Sequence, residues 1–215
     1  MDLLDGLCII FFMIIFFFMI FFLLLLLSIY RSMKEEELRG ASRDGDQGRV
    51  QALLAQGVNP NAQEWWGDTP LMLAARHGQE EVVALLLGQP TIDLEARNQW
   101  GRTALLMAAA GGHQGVVHLL LAGGADPEAR SVQGVTALLL AAEEGHQGVV
   151  EQLLAGGADA AVMDTEGRTP LWWALKNGWE DLAAQLFVHP GPVPFSVDYS
   201  DSSNISSTDS EDSSA

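Results

Sequence analysis

Basic residues are scarce in this chain: 11 lysines and arginines stand against 28 aspartates and glutamates, a formal net charge of −17 over 215 residues. So acidic a protein is poorly suited to neutralising phosphates, which argues against nucleic acid as a partner. Cysteine is nearly absent. Cys8 is the single one, so neither an intrachain disulfide nor a multi-cysteine zinc site can form. The five histidines, His77, His113, His118, His146 and His189, show no metal-ligand spacing with a supporting acid or cysteine. No Gly-x-x-x-x-Gly-Lys phosphate loop and no nucleophile elbow occurs. Glu143 and Glu144 are paired carboxylates, but adjacent residues on a helix diverge and make a poor acid/base pair. These absences lead us to expect no enzyme, no cofactor and no metal.

The charge is unevenly placed. Residues 1–30 carry Asp2 and Asp5 and no lysine or arginine, whereas the middle of the chain holds all 11 basic residues. Within residues 1–30 runs the most apolar stretch of the chain, Leu7 to Ile29, 23 residues with seven phenylalanines, no charge and a single hydroxyl at Ser28. As a helix it would be roughly 35 Å long, enough to cross the hydrocarbon core of a bilayer with some tilt. A cleaved signal peptide needs a basic start, a shorter apolar run and a small-residue cleavage site. This chain begins acidic and follows the run with Ser28-Ile-Tyr-Arg31. We therefore expect a single-pass transmembrane anchor at residues 7–29, in contact with the lipid bilayer. It would have a short luminal or extracellular segment at 1–6 and a juxtamembrane linker at 30–33. Arg31, Lys34, Arg39, Arg43 and Arg49 all lie on the carboxyl side. Positive charge stays in the cytosol, so the remainder of the chain is expected to be cytosolic. The span length suits the endoplasmic reticulum or plasma membrane better than the mitochondrial outer membrane.

After the apolar run a unit recurs. Thr69, Thr103, Thr136 and Thr169 are spaced by 34, 33 and 33 residues. The same period holds for Gly67, Gly101, Gly134 and Gly167, and for Gly78, Gly112, Gly145 and Gly178. A period of 33 with a Thr-Pro-Leu-like start marks a solenoid of helix pairs. Each threonine is placed to cap a first helix, with Pro70 and Pro170 at the first helical position, where a missing N–H costs nothing. The second helices carry apolar stripes such as Val82, Leu85 and Leu86. Alanine pairs, Ala74-Ala75, Ala108-Ala109 and Ala141-Ala142, let stacked helices approach closely. Met33 to Asn61 reads as a degenerate first unit that opens on a short polar helix, Lys34 to Arg39. A terminal unit has a neighbour on one side only, which explains its polarity.

The units Gly101–Asp126 and Gly134–Asp159 resemble ankyrin repeats, and the resemblance spans residues 34–187. It implies an all-α solenoid of about five units, helix pairs with projecting hairpin loops, that binds a protein. Two departures stand out. The family's histidine after Thr-Pro-Leu is replaced by Met72, Leu106, Leu139 and Trp172, which predicts more apolar packing and looser turns. Proline gives way to Ala104 and Ala137, a small loss of preorganisation. The resemblance also implies a structural role for His113 and His146 at the Gly-His position.

In this family the concave surface combines hairpin tips with the exposed end of the first helix. Carried over, it includes Trp65, Trp66, Asp68 and Arg76, then Gln99, Trp100 and Arg102, then Val132, Val135 and Glu143, and finally Arg168 and Lys176. Trp66 and Trp100 hold equivalent tip positions, with Trp65 beside them. Three roles fit an exposed tip tryptophan: a binding hot spot, packing onto the neighbouring hairpin, or contact with lipid headgroups. Trp172, Trp173 and Trp179 fall within the helical pattern of the last unit and are expected in its core.

Residues 188–215 are expected to form a disordered acidic tail rich in serine. Ser206, Thr208 and Ser210 lie among Asp209, Glu211 and Asp212, a setting that suits acid-directed phosphorylation, although a solubilising tail explains the composition equally well. Two functions follow. One is a membrane-anchored adaptor or scaffold whose cytosolic concave surface binds a protein. The other is a structural or regulatory subunit of a membrane complex assembled through the phenylalanine-rich helix.

Overall fold

The computed structural model describes residues 3–188. Among the described residues the chain is all-helical, with ten helices. Helix α1, Leu3–Asp44, is continuous over 42 residues. It carries the apolar run and, without a break, the first helix of the first repeat. The expected linker at 30–33 and the expected short helix at Lys34–Arg39 are both turns inside it. The physical reason is visible in the sequence: neither proline nor glycine occurs between Ile29 and Arg39 to interrupt the hydrogen-bond ladder. Gly45, at φ 78°, supplies the left-handed residue that ends α1.

Within α1 the polar surface starts abruptly. Arg31 pairs with Glu35 at 3.1 Å, Lys34 with Glu37 at 2.9 Å, and Arg39 with Glu36 at 2.6 Å. Arg49, from the next helix, also reaches Glu37 at 2.9 Å. Thus the three glutamates are each held by a cation. Leu38, Ala41 and Ser42 are buried, and α1 packs against α2, Gln47–Ala55, and α3, Pro70–Arg76. At 1.5 Å per residue, only about 14 Å of helix separates Ile29 from the first buried leucine.

The later repeats are α3 with α4 (Glu80–Leu87), α5 (Ala104–Ala110) with α6 (Gln114–Ala122), α7 (Ala137–Glu144) with α8 (Gln147–Ala155), and α9 (Pro170–Lys176) with α10 (Glu180–Val188). The first helices form one row, α1, α3, α5, α7 and α9; α2, α4, α6 and α8 form the other. Thr69, Thr103 and Thr169 accept the backbone N–H three residues on, the expected cap. Thr136, in a unit that matches the repeat pattern closely, caps nothing; its buried hydroxyl oxygen has no partner among the described residues. The alanine pairs are fully buried between the helices of the inner row.

Neighbouring repeats are joined by a column of side chains. Gln79 Nε2 donates to the carbonyl of Arg43 at 3.1 Å, and His113 Nε2 lies 2.9 Å from the carbonyl of Arg76. His146 Nε2 lies 3.2 Å from that of Ala110, and Trp179 Nε1 donates to that of Glu143 at 3.2 Å. Each partner is the last turn of the first helix in the preceding repeat, whose carbonyls have no helical partner of their own. The structural role implied for His113 and His146 is therefore observed, and Trp179 performs it in the last repeat instead of filling a core. This column also explains one set of glycines. A Cβ on Gly112, at φ 73°, would come within 2.8 Å of the His146 ring.

The apolar replacements for the family histidine do as expected in the middle of the stack, where Met72, Leu106 and Leu139 are buried. The turns are not loose, however. Asn98 Oδ1 accepts from the N–H groups of Trp100 and Arg102 at 3.0 and 2.9 Å. Ser131 and Asp164 bind their own turns in the same way.

Candidate functional site

The hairpin tips are stitched to one another by the backbone. Gln99 N donates to the Trp66 carbonyl at 3.0 Å, and Val132 N to the Trp100 carbonyl at 3.0 Å. Gln99 Nε2 adds a bond to the Trp65 carbonyl at 2.7 Å. These bonds hold the tips of successive repeats in register and bring the two equivalent indoles together. Trp66 and Trp100 stack with centroids 5.8 Å apart and planes 24° from parallel. Both binding and packing were open for these rings, and the structure shows packing between them without burial. Trp66 remains 51% exposed and Trp100 44%, while Trp65 beside them is 84% exposed. Val132 extends the exposed apolar row onto the next tip.

Not every residue carried over from the family faces outward. Asp68 is buried; it accepts from Asn98 Nδ2 at 2.7 Å and lies 3.5 Å from the Arg76 guanidinium. Its carboxylate therefore fixes the tip and orients Arg76, and is not presented to a partner. Val135 is half-buried against the core. Arg102 and Glu143 are half-buried, and the Glu143 carbonyl is taken by Asn177 and Trp179. Arg76 and Gln99 are exposed beside the tryptophans. The surface brought together is thus Trp65, Trp66, Arg76, Gln99 and Trp100, on repeats two and three. Asn98, which holds the whole tip, was not singled out from the sequence. Its signal is an Asn three residues before the turn glycine, where the other repeats carry Glu64, Ser131 and Asp164.

Arg168 belongs to a different cluster at the end of the stack. Its guanidinium pairs with Asp164 at 2.7 Å and Glu166 at 2.8 Å, and sits 4.4 Å from the centre of the Trp173 ring. Lys176 lies 4.7 Å from Trp173 and 4.9 Å from Trp172. The two indoles meet edge to face at 5.0 Å. Trp172 and Trp173, expected in a core, are only half-buried.

Burial pushes the Asp164 carboxyl up, but hydrogen bonds from Arg168 and from the Glu166 backbone outweigh it and hold the group below its usual range. A carboxyl depressed in the folded state contributes stability above its unfolded pKa and loses it as pH falls through the folded value. Repeat five is therefore expected to loosen as the pH drops below about 4, detected as a change in tryptophan emission. Asp164→Asn should be less stable at neutral pH and lack that acid transition.

Ser206, Thr208 and Ser210 lie outside the described residues. The family model for ankyrin repeats (3 copies) matches residues 38–131 and 115–198, well over half of the chain. A comparison with curated proteins finds no match. The matched length, the capping threonines and the inter-repeat hydrogen-bond column agree, and the chain belongs to the ankyrin-repeat family.

Proposed function

We propose that this protein is a membrane-anchored adaptor that holds a protein partner against the tryptophan-bearing tips of repeats two and three. Ankyrin repeats are protein-interaction modules, and the observation that carries this reading is the exposed row Trp65, Trp66 and Trp100 beside Arg76. Tryptophan and arginine are the residues most enriched at binding hot spots. Indole rings held by a hydrogen-bonded tip also lose little freedom when a partner docks.

Anchoring is supported by α1, which is long and apolar enough to cross a membrane and near the amino end. From Phe16 to Leu27 every described side chain is exposed, so this surface has no cover among the described residues. The apolar run and the first repeat share one helix, which supports a short and stiff connection between an anchor and the tips. We assign the amino end to the lumen or exterior and the repeats to the cytosol, on the five basic residues that follow the span. The sequon Asn204-Ile-Ser206 tests this. Asn204 should stay unmodified in cells, and a glycosidase-sensitive shift in mobility that is lost in Asn204→Gln would reverse the orientation.

Proximity labelling from the carboxyl end identifies the partner. Loss of that partner in a Trp66→Ala, Trp100→Ala double variant, with the fold intact, is the result this reading requires.

A further inference from the structure

The two ends of the solenoid differ. The first repeat shows solvent a polar face, with Glu36, Arg49 and Gln51 exposed, as an end repeat should. The last repeat does not. Leu175 occupies the position of the fully buried Ala142, and is 45% exposed. Phe187 stands where half-buried Leu154 stands one repeat earlier, and is 67% exposed. Trp172 replaces buried Leu139 and is half-buried. These are the positions that a following repeat covers in the middle of the stack, and no further Thr-Pro-Leu-like unit follows in the sequence. An apolar end face of this kind needs a cover.

We propose that residues 193–199 of the same chain fold back and cap this face. Four observations select this occupant. First, the segment starts five residues after α10 ends at Val188, so it lies within reach without a long loop. Second, Val193, Phe195, Val197 and Tyr199 alternate with Pro194, Ser196 and Asp198, which gives an extended segment one apolar face. Third, the repeat register continues without insertion. Ala62, Ala96, Ala129 and Val162 are spaced by 34, 33 and 33 residues, and Phe195 follows 33 later. Ala129 and Val162 lie in the core cluster, Ala96 packs against it, and Ala62 is buried. The family match likewise runs to residue 198, past the last helix. Fourth, Asp198 and Asp201 bring negative charge to the end that exposes Lys176. Phe195 is larger than Ala62, Ala96 and Ala129, which suits a place where residues 189–215 supply no further Thr-Pro-Leu-like unit to cover Trp172 and Leu175.

Hydrogen exchange on the full chain in detergent micelles tests this. Amides between Val193 and Tyr199 should exchange at least about tenfold more slowly than an unstructured chain. Phe195→Asp should speed exchange in α9 and α10 by about tenfold or more and leave α5 and α6 unchanged. Ser210→Ala should change neither. Exchange of 193–199 at the unstructured rate overturns the proposal, as does an unaltered α9–α10 pair in Phe195→Asp. Protection of α9 and α10 that rises with protein concentration shows a second copy as the cover and overturns it too. This cap is independent of the tip surface, so partner binding need not change in Phe195→Asp.

Discussion

Replacing Trp66 and Trp100 together with alanine is expected to abolish partner binding while the solenoid stays folded. Each ring is about half exposed, yet each rests on the other, so the variant removes both a contact surface and an internal stack. The two losses differ in size. An aromatic pair of this geometry adds about 0.5–1.5 kcal/mol beyond area burial, which shifts the midpoint of thermal unfolding by a few degrees in a domain of this length. A hot-spot tryptophan costs roughly 2 kcal/mol or more on truncation, so losing two weakens binding on the order of a thousandfold. Trp65→Ala gives a cleaner measurement. That ring is 84% exposed and makes no aromatic contact among the described residues, so its removal leaves the melting temperature unchanged. Titration of the purified variants against the labelled partner reads both effects. Retained affinity in the double variant, with a lowered melting temperature, would assign the tips to packing alone.

The second large effect concerns spacing between helices. Ala109→Leu is expected to destabilise the stack by roughly 1–3 kcal/mol or more, whereas Leu175→Ala should cost less, about 1 kcal/mol, because it loses only its contacts with the terminal cover and opens no space between stacked helices. The two positions are equivalent by repeat, at the end of α5 and the end of α9. Ala109 is fully buried in the interior of the stack, where a leucine has no room unless the helices move apart. Leu175 already occupies that place in the final repeat and is 45% exposed, because among the described residues no further helix pair stacks on it. The chain thus contains its own control for the substitution. Urea unfolding of the full protein in micelles, followed by far-ultraviolet dichroism, compares the two. Equal effects would mean that the inner helices can separate and that alanine at this column reflects composition, not contact.

Much of the fold was legible because its determinants are local and recur. A threonine three residues before the N–H it accepts, a proline at the first helical position and an alanine pair near the end of a seven-residue helix each act within one unit. Their period betrays the stacking. The site was less legible. Asp68 and Arg168 have the composition of surface residues, and their roles depend on Asn98 and on Trp173, which chain sequence alone does not place beside them. The continuity of α1 was readable in principle from the missing breaker between Ile29 and Arg39. A change from apolar to charged residues suggested a boundary, but polarity decides what surrounds a helix and not where it stops.

The sequence by itself determined the helix pairs, their number and the apolar segment ahead of them, since backbone propensity, capping and hydrophobic period operate over a few residues. Tertiary structure alone decided which side chains remain for a partner. The bonds that turn Asp68 inward, stack Trp66 on Trp100 and give Trp179 the place of a histidine join residues about 30–36 positions apart. Contacts at that separation exist only once neighbouring repeats have stacked, so the fate of each tip residue is fixed by the repeat beside it.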